Sequence, residues 1–272
     1  MPHKKQKIGL ALGSGGVKGL SHIGVIKVLE KNNIPIDFIA GVSIGALIGA
    51  YYAAYKDVIR MEKTALASNW KTAFYLLDPA WRGALIKGTK VESLIQDWLE
   101  DKKFSSLKIP LTVIATDLNS GQEVDISDGD LFKAIRASLS VPVVFRPIEI
   151  NGMLLSDGGL SNPLPDDTVR KMGADKVITV SLDSGKFDQN DSTLLKNPSI
   201  TKISIRALNI LRYHLAQKSL NSSDVLIEPK VTEIGLVGWN KFFDNHQVSQ
   251  LIKAGEDAAI AALPKIKKLL NN

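Results

Sequence analysis

A serine between two glycines, in Gly41-Val42-Ser43-Ile44-Gly45, is the part of this sequence whose residue types and spacing best support chemistry. A short strand-like segment, 37–40, precedes the motif, and small and apolar residues with a helical pattern follow it over 46–55. Between a strand and a helix, Gly-x-Ser-x-Gly places the serine on a sharp turn with its hydroxyl above the strand end. The N-terminus of the following helix would favour an anion there. The stretch therefore predicts that Ser43 is the nucleophile of a serine hydrolase.

The same stretch has two other interpretations, a membrane span and a tight turn without chemistry. Residues 38–55 carry no charge and approach the length of a membrane-spanning helix. Gly41, Gly45 and Gly49 also have the spacing of a membrane-helix contact. Polar or helix-breaking residues at the edges, and the lack of a second such segment, favour the buried central helix of an α/β protein instead. The rest of the chain has to distinguish a catalytic serine from an inert turn.

Composition indicates an ordinary globular protein, with 272 residues of which 44% are hydrophobic and 23% charged. We predict a single domain over 1–272, with the motifs within about 7–182 and a further strand and helices over 200–272. The net charge of +6 is spread along the chain, so nucleic acid is not an expected partner. The absence of cysteine excludes disulfides, cysteine nucleophiles and thiolate metal sites, and agrees with a cytoplasmic location. The apolar run near the start of the chain is too short and too rich in glycine for a signal peptide.

Predicted strands and helices alternate along the chain, which indicates an α/β fold with a mostly parallel sheet covered on both faces. Asn151-Gly152 marks a hairpin between arms at 146–150 and 153–155. The segment 57–108 has a mixed helical pattern, and the polar stretch 184–201 is predicted to be a loop. The remaining predicted strands lie at 8–12, 37–40, 110–118, 176–182 and 224–228, and the remaining helices at 20–31, 46–55, 132–140, 203–220 and 247–270.

A glycine-rich stretch, 13–19, lies between the first predicted strand and the first predicted helix. Such loops present backbone N–H groups to an anion. Lys18 is followed by Gly19 rather than by Ser or Thr, so a P-loop does not fit. A dinucleotide fingerprint fits no better, because Lys18 stands where its third glycine belongs. The third alternative is an oxyanion hole made by the N–H groups of Gly15, Gly16 and Val17, beside which Lys18 would add positive charge or face solvent.

A serine nucleophile needs a base, and the obvious candidates are the four histidines, His3, His22, His214 and His246. His3 lies at the start of the chain, and His22 suits helix packing better than catalysis. His214 and His246 fit the chain order Ser, Asp, His of α/β-hydrolases, but neither lies in a loop with other catalytic residues.

A carboxylate is the alternative base. Asp157 comes at the end of the predicted hairpin, directly before Gly158 and Gly159, where its side chain would be held on an open loop. Asp-Gly-Gly is also ordinary turn chemistry. The residues by themselves therefore leave the identity of the base open.

The glycine loop, the serine motif and Asp157-Gly158-Gly159, taken together and in this order, resemble the patatin-like phospholipases. The resemblance covers roughly 7–182 and is close to the small bacterial members. It extends to His22-Ile23-Gly24-Val25, to the segment from Ala137-Ser138 to Pro142, and to Asn162-Pro163. Ser14 is one departure, since the family often has a further glycine there, but it leaves the N–H donors intact.

The resemblance implies a three-layer α/β/α hydrolase in which Ser43 and Asp157 form a catalytic dyad. It implies an oxyanion hole at Gly15, Gly16 and Val17. It also carries a supporting motif onto Lys18, Gly19, Gly41, Gly45, Gly158 and Gly159. No histidine, calcium or organic cofactor is then required.

The expected activity is hydrolysis of acyl esters, above all lipids, as a phospholipase, lysophospholipase or esterase that forms an acyl-enzyme. The alternatives are a catalytically weak regulatory or scaffolding protein on the same fold, and an esterase that depends on His214 or His246. The expected location is the cytoplasm, with peripheral contact with a membrane.

The dyad makes a physical demand, because an ordinary aspartate is a weak base toward serine. Desolvation in a lipid-accepting pocket would raise the pKa of Asp157, and Lys18 nearby would oppose that. Two segments are secondary candidates for lipid contact. Asn69 to Trp81 is predicted to be an acyl-binding wall or lid, or else a core helix. The basic end of the chain, 263–272, is predicted to touch anionic lipid or to be a plain terminal helix.

Overall fold

The computed structural model describes residues 6–68, 88–183, 199–231 and 245–270. The strands of this part of the chain form one sheet. They are β1 (Ile8–Leu12), β2 (Phe38–Val42), β3 (Leu111–Asp117), β4 (Glu123–Ile126), β5 (Ile148–Ile150), β6 (Met153–Asp157), β7 (Lys176–Val180) and β8 (Val225–Ile227). Their order in the sheet is β5-β6-β3-β2-β1-β7-β8, and β4 pairs with β3 outside this path.

The α-helices of the described residues lie between these strands and after the last of them. They are α1 (Ser21–Lys31), α2 (Ile44–Tyr55), α3 (Val58–Ala67), α4 (Thr89–Leu99), α5 (Leu131–Ser138), α6 (Asp166–Lys171), α7 (Ile200–Ser219) and α8 (Asn245–Leu270). Short 3-10 helices at Gly16–Leu20, Phe104–Ser106 and Gly158–Leu160 complete the regular structure of that part.

The centre of the sheet is parallel, because β3, β2, β1, β7 and β8 all run in one direction. The strands at the β5 edge, β4, β5 and β6, pair antiparallel. The loops that leave the parallel strands therefore meet at one edge, outside the carboxyl ends, where ligand sites of open α/β sheets lie. The predicted three-layer α/β/α architecture with a mostly parallel sheet is confirmed.

The two faces of the sheet carry unequal layers, because side chains alternate along each strand. On β1, Leu10 and Leu12 enter the main core, to which residues of α1, α2, α3, α4, α5 and α8 contribute. Ala11 points the other way, into a small cluster with Val169 of α6 and Val177. Small residues on this face allow the short helix α6 to pack close to the sheet.

Most predicted elements are confirmed, with shifted ends. β2 continues to Val42 and α2 begins at Ile44, so a single residue separates strand from helix. The predicted hairpin is present, with positive φ angles of 52° at Asn151 and 79° at Gly152. Helix α7 begins at Ile200, inside the stretch predicted to be loop, and the rest of that prediction, 184–198, lies outside the described residues.

Two short elements were not predicted from the sequence. The strand β4 spans four residues, and the helix α6 spans six residues directly after Pro165. Segments this short hold too few residues for a clear period.

The uncharged stretch 38–55 is a strand and a buried helix rather than a membrane span. Among the helices of the described ranges, none is both long enough and apolar enough to cross a membrane.

Candidate active site

Ser43 occupies the turn between β2 and α2 in an unusual backbone conformation. Its φ of 56° and ψ of −123° are rare for a residue with a side chain, and such strain often marks a functional site. The turn is possible because glycines flank it: a Cβ on Gly45 would meet the carbonyl oxygens of Leu12 and Gly13, and one on Gly41 would meet the backbone of Ala46. The geometry is that expected of Gly-x-Ser-x-Gly between strand and helix.

The serine turn is also held from the side. The Ser43 N–H donates a 2.7 Å hydrogen bond to Oγ of Ser138, the last residue of α5. Both residues are buried. This contact gives a structural reason for the segment 137–142 noted in the sequence, since α5 supports the turn that carries Ser43.

Asp157 is the last residue of β6, and its side chain lines the same cavity as Ser43. The Ser43 hydroxyl is close enough to the carboxylate to lower its pKa. Asp157 Oδ1 accepts from the Gly159 N–H at 2.7 Å. The Asp157 N–H donates to the Ser140 carbonyl at 3.0 Å, which fixes the backbone beneath the carboxylate. Ser43 and Asp157 are only 3% and 6% exposed, so this pair is shielded from water.

The electrostatic setting of Asp157 includes a buried ion pair. Arg212 of α7 binds Asp183 with both ends of its guanidinium group, Nε to Oδ2 at 3.0 Å and Nη2 to Oδ1 at 2.8 Å. Burial raises the pKa of Asp157, while the nearby Ser43 hydroxyl, the Gly159 N–H and the charge of Arg212 lower it only in part. Burial would lower the pKa of Arg212, but the Asp183 and Asp157 carboxylates raise it. Arg212 is therefore a cation that acts on Asp157.

The glycine loop folds as the 3-10 helix Gly16–Leu20 beside the serine turn. The first N–H groups of a helix have no carbonyl partner within it. In the part of the chain that the structure describes, no backbone hydrogen bond is donated by Gly15, Gly16 or Val17. Gly16 lines the same cavity as Ser43 and Asp157. Gly15 packs against Leu182, and the Val17 side chain is buried in the main core, so only backbone N–H groups are candidates for binding an anion.

The supporting motif residues pack around this arrangement. Gly19 lies against Ile44 at the start of α2, Gly158 against the Ile114 carbonyl, and Gly159 beside Asp157 Oδ1 and Arg212. Lys18 is half-buried, and its carbonyl accepts from the Ser21 hydroxyl at 2.7 Å.

Ser14 is buried close to Gly159, and its Oγ has no hydrogen-bond partner among the described residues. Its N–H donates to the Pro163 carbonyl at 3.0 Å. Serine instead of glycine at position 14 therefore leaves the backbone anchor of the loop in place.

The described histidines lie away from the serine. His22 is fully buried and its Nε2 lies 2.9 Å from the Gly13 carbonyl oxygen, which requires that Nε2 carry the proton and donate. Burial lowers the pKa of His22 to about 4, against the opposing effect of this bond, so the ring is neutral at pH 7. His214 and His246 are exposed, on α7 and α8. In the described residues none of the three lines the Ser43 cavity, and His3 is outside them.

A cavity of about 120 Å³ contains the Ser43 and Asp157 side chains. Most of its wall is apolar. Its lining includes Val141, Pro142 and Leu160, together with six residues of α7: Ile205, Leu208, Asn209, Leu211, Arg212 and Leu215. The segment Asn69 to Trp81, considered above as a wall or lid, lies outside the described residues. Within the described residues, the helix over the serine is α7. Residues 263–270 of the basic end form the last turns of α8, with Ile266 fully buried, and 271–272 lie outside the described residues.

Sequence reasoning missed Arg212, Asp183 and Ser138 as parts of this site. Signals existed for two of them. Asp183 follows the carboxyl end of β7, an edge at which functional residues gather. Arg212 lies on the mostly apolar inner face of a predicted helix, where a lone cation needs a buried partner. Ser138 carried no chemical signal of its own.

Comparison with known proteins follows the same motifs. The family model of patatin-like phospholipases matches residues 10–169, which contain the glycine loop, the serine turn and Asp157. The chain belongs to the patatin-like phospholipase family. An uncharacterised NTE family protein of Mycobacterium tuberculosis is 38% identical over 181 residues, covering 66% of this chain and 50% of that protein. Human patatin-like phospholipase domain-containing protein 6 is 35% identical over 192 residues, covering 68% of this chain and 14% of that protein.

The chain thus spans about half the length of the mycobacterial relatives and a small part of the human one. Among solved structures, VipD from Legionella pneumophila matches with a TM-score of 0.53 at 14% identity, covering 96% of this chain and 67% of VipD. At that identity the similarity concerns the fold alone.

Proposed function

We propose that this patatin-like chain is a serine acyl-ester hydrolase that acts on lipids, of phospholipase, lysophospholipase or esterase type. The observation that carries the proposal is that Ser43 and the buried Asp157 carboxylate line the same largely apolar cavity, with the hydroxyl close enough to lower the pKa of the carboxylate. A serine nucleophile requires an adjacent base, and a carboxylate with a raised pKa is a better base than an ordinary aspartate.

In the first half of the reaction, Ser43 Oγ attacks the ester carbonyl carbon and its proton passes to Asp157. The carbonyl oxygen becomes an oxyanion, which the N–H groups of Gly15, Gly16 and Val17 stabilise. Each such donor contributes roughly 3 kcal/mol to the transition state. Collapse of the tetrahedral intermediate breaks the ester C–O bond, and the leaving alcohol takes the proton from Asp157. Ser43 now carries the acyl group.

In the second half, water attacks the acyl carbon while Asp157 accepts its proton. The oxyanion again lies at the glycine loop, and collapse returns the proton to Ser43 Oγ and releases the fatty acid. No step needs a metal or an organic cofactor. The apolar wall of the cavity suits an acyl chain, and extraction of that chain from a bilayer implies peripheral contact with a membrane.

Hydrolysis assays with a series of p-nitrophenyl acyl esters and with phospholipid vesicles test this proposal. We expect hydrolysis by the wild type and its loss, to the background rate, in Ser43→Ala. A His214→Ala/His246→Ala double variant serves as the matched control and should keep near-wild-type activity, because neither ring lines the cavity. Loss of activity in the histidine variant would favour the histidine-dependent esterase. A folded wild type without activity on any ester would favour the regulatory or scaffolding protein.

A further inference from the structure

The outer face of α7 carries a concentration of exposed large apolar side chains. In the described residues, four of the eight side chains of this kind lie on α7, at Ile200, Ile203, Ile210 and Leu211, with exposed fractions of 86%, 53%, 37% and 67%. The other four are scattered over α3, β6, α8 and the turn after β3. Single exposed apolar residues are normal on a protein surface, whereas a contiguous group marks an interaction site.

The spacing places these residues on one side of the helix. Ile203, Ala207, Ile210 and Leu211 follow the i, i+4, i+7, i+8 pattern of one helical face, and all four are exposed. The opposite face, with Ile205, Leu208 and Arg212, lines the Ser43 cavity. Helix α7 is therefore apolar on two sides, one toward the serine and one toward the surroundings.

The charges on α7 identify the kind of surface that fits it. Between 200 and 219 the chain has no acidic residue, while it has Lys202, Arg206, Arg212 and Lys218. Arg212 is bound inward to Asp183, whereas Lys202 and Arg206 are half-buried and Lys218 is exposed. An apolar stripe on a helix that carries cations and no acidic residue is the pattern of helices that lie in the interface of a membrane containing anionic lipid.

The cavity reaches this face. Leu211 lines the cavity that contains Ser43 and is also 67% exposed, so it lies where the cavity meets the outer face. A bilayer in contact with the outer face would therefore lie next to the opening of the Ser43 cavity.

We propose that the outer face of α7, defined by Ile203, Ala207, Ile210 and Leu211 with its flanking cations, is the surface on which the protein seats itself on an anionic lipid bilayer. This inference rests on the proposed function for its choice of a lipid surface over a protein partner. It assigns membrane contact to α7 rather than to the basic end of α8.

Vesicle co-sedimentation measures this contact directly. The protein is used as Ser43→Ala so that lipids stay intact, and it is mixed with phosphatidylcholine vesicles with and without phosphatidylglycerol. We expect binding that requires phosphatidylglycerol and weakens with salt. Ile203→Gln/Ile210→Gln should weaken it roughly tenfold or more, because two apolar side chains lose their burial in the interface.

Matched variants separate this surface from others. Ile59→Gln/Ile260→Gln changes two isoleucines with exposed fractions of 49% and 53% elsewhere on the surface, and should leave vesicle binding within about twofold of the parent. Lys202→Gln/Lys218→Gln should weaken binding to anionic vesicles more than Lys267→Gln/Lys268→Gln at the end of α8. Equal effects of the isoleucine pairs, or a dominant effect of the α8 pair, would overturn the proposal.

Two further outcomes keep this inference distinct from the proposed function. With Ser43 intact, Ile203→Gln/Ile210→Gln should hydrolyse a water-soluble short-chain ester at the wild-type rate. If no ester is hydrolysed but vesicle binding follows the outer face of α7, the docking surface stands and the proposed function fails. If Ile203→Gln/Ile210→Gln abolishes self-association in sedimentation velocity and leaves vesicle binding unchanged, the face is an interface between copies and the docking proposal fails.

Discussion

We call Ser43, Asp157 and the glycine loop the floor of the cavity, and α7 its roof. The floor is anchored through its own backbone N–H groups, whereas the roof is held through its side chains. In the floor, the N–H groups of Ser43 and Asp157 bond to Ser138 and Ser140. In the roof, the Arg212–Asp183 ion pair and buried apolar residues hold the helix. Under the proposed function, the floor would set the geometry of the reaction and the roof would set the access of lipid to it.

Removing the proposed base should have the largest effect on the floor. Asp157→Asn keeps the size of the side chain and its bond to the Gly159 N–H but cannot accept a proton, so kcat/KM should fall roughly a thousandfold. Steady-state kinetics on a soluble ester measures this. Asp183→Asn, a buried carboxylate on the roof side, is the control and should retain most activity. A fall of similar size in both variants would remove the distinction between floor and roof.

Adding a side chain at Gly45, where the serine turn packs against β1, should destabilise the protein. Gly45→Ala places a Cβ against the Leu12 and Gly13 carbonyl oxygens, and we expect a loss of about 3 to 4 kcal/mol in the free energy of unfolding. Urea denaturation provides the measurement. Gly152→Ala, which has a φ of 79° but nothing within 4 Å of the added Cβ, should cost only about 1 kcal/mol. Equal losses would mean that the serine turn is not tightly packed.

Protonation of His22 should make the free energy of unfolding depend on pH. Its pKa falls from 6.5 in the unfolded chain to about 4 in the folded protein, so the unfolded state binds more protons between these values. The stabilising contribution is complete above pH 6.5 and is lost as the pH falls toward 4, by on the order of 3 kcal/mol. Urea denaturation at several pH values measures this effect. The difference in pH dependence between the wild type and His22→Gln gives the contribution of His22. Parallel pH dependences in the two proteins would contradict it.

The smallest expected effects are shifts in the pH dependence of activity when charged residues next to Asp157 are replaced. Arg212 lowers the pKa of Asp157 and Asp183 raises it, although burial keeps the net shift upward. The proposed mechanism needs ionised Asp157, so it predicts that activity is lost as the pH falls through that raised pKa. In kcat/KM against pH, Arg212→Gln should move this acid limb upward and Asp183→Asn should move it downward, each by about one unit or less.

Arg212→Lys keeps the positive charge and is the control, with an acid limb close to that of the wild type. A purely structural role of the ion pair would lower activity in both variants without opposite displacements of the limb. That result would leave α7 as a cover with no electrostatic effect on the dyad.

Much of the floor could be predicted from sequence because its constraints are local. A serine turn needs glycines on both sides, and Asp157 stands directly before two more, so residue type and order were informative. The roles of His22 and Ser138 were not readable, since each depends on a carbonyl or N–H that only the fold brings near. The roof was least predictable: Arg212 and Asp183 are 29 positions apart, and the apolar outer face of α7 looks in sequence like another side of a core helix.

Labelling with a fluorophosphonate probe tests the central claim, an activated Ser43 under the control of Asp157, most directly. Peptide mass spectrometry should find the wild type modified at Ser43, Ser43→Ala unmodified there, and Asp157→Asn modified far more slowly. A folded wild type that stays unlabelled, or that is labelled at another residue, would contradict the account.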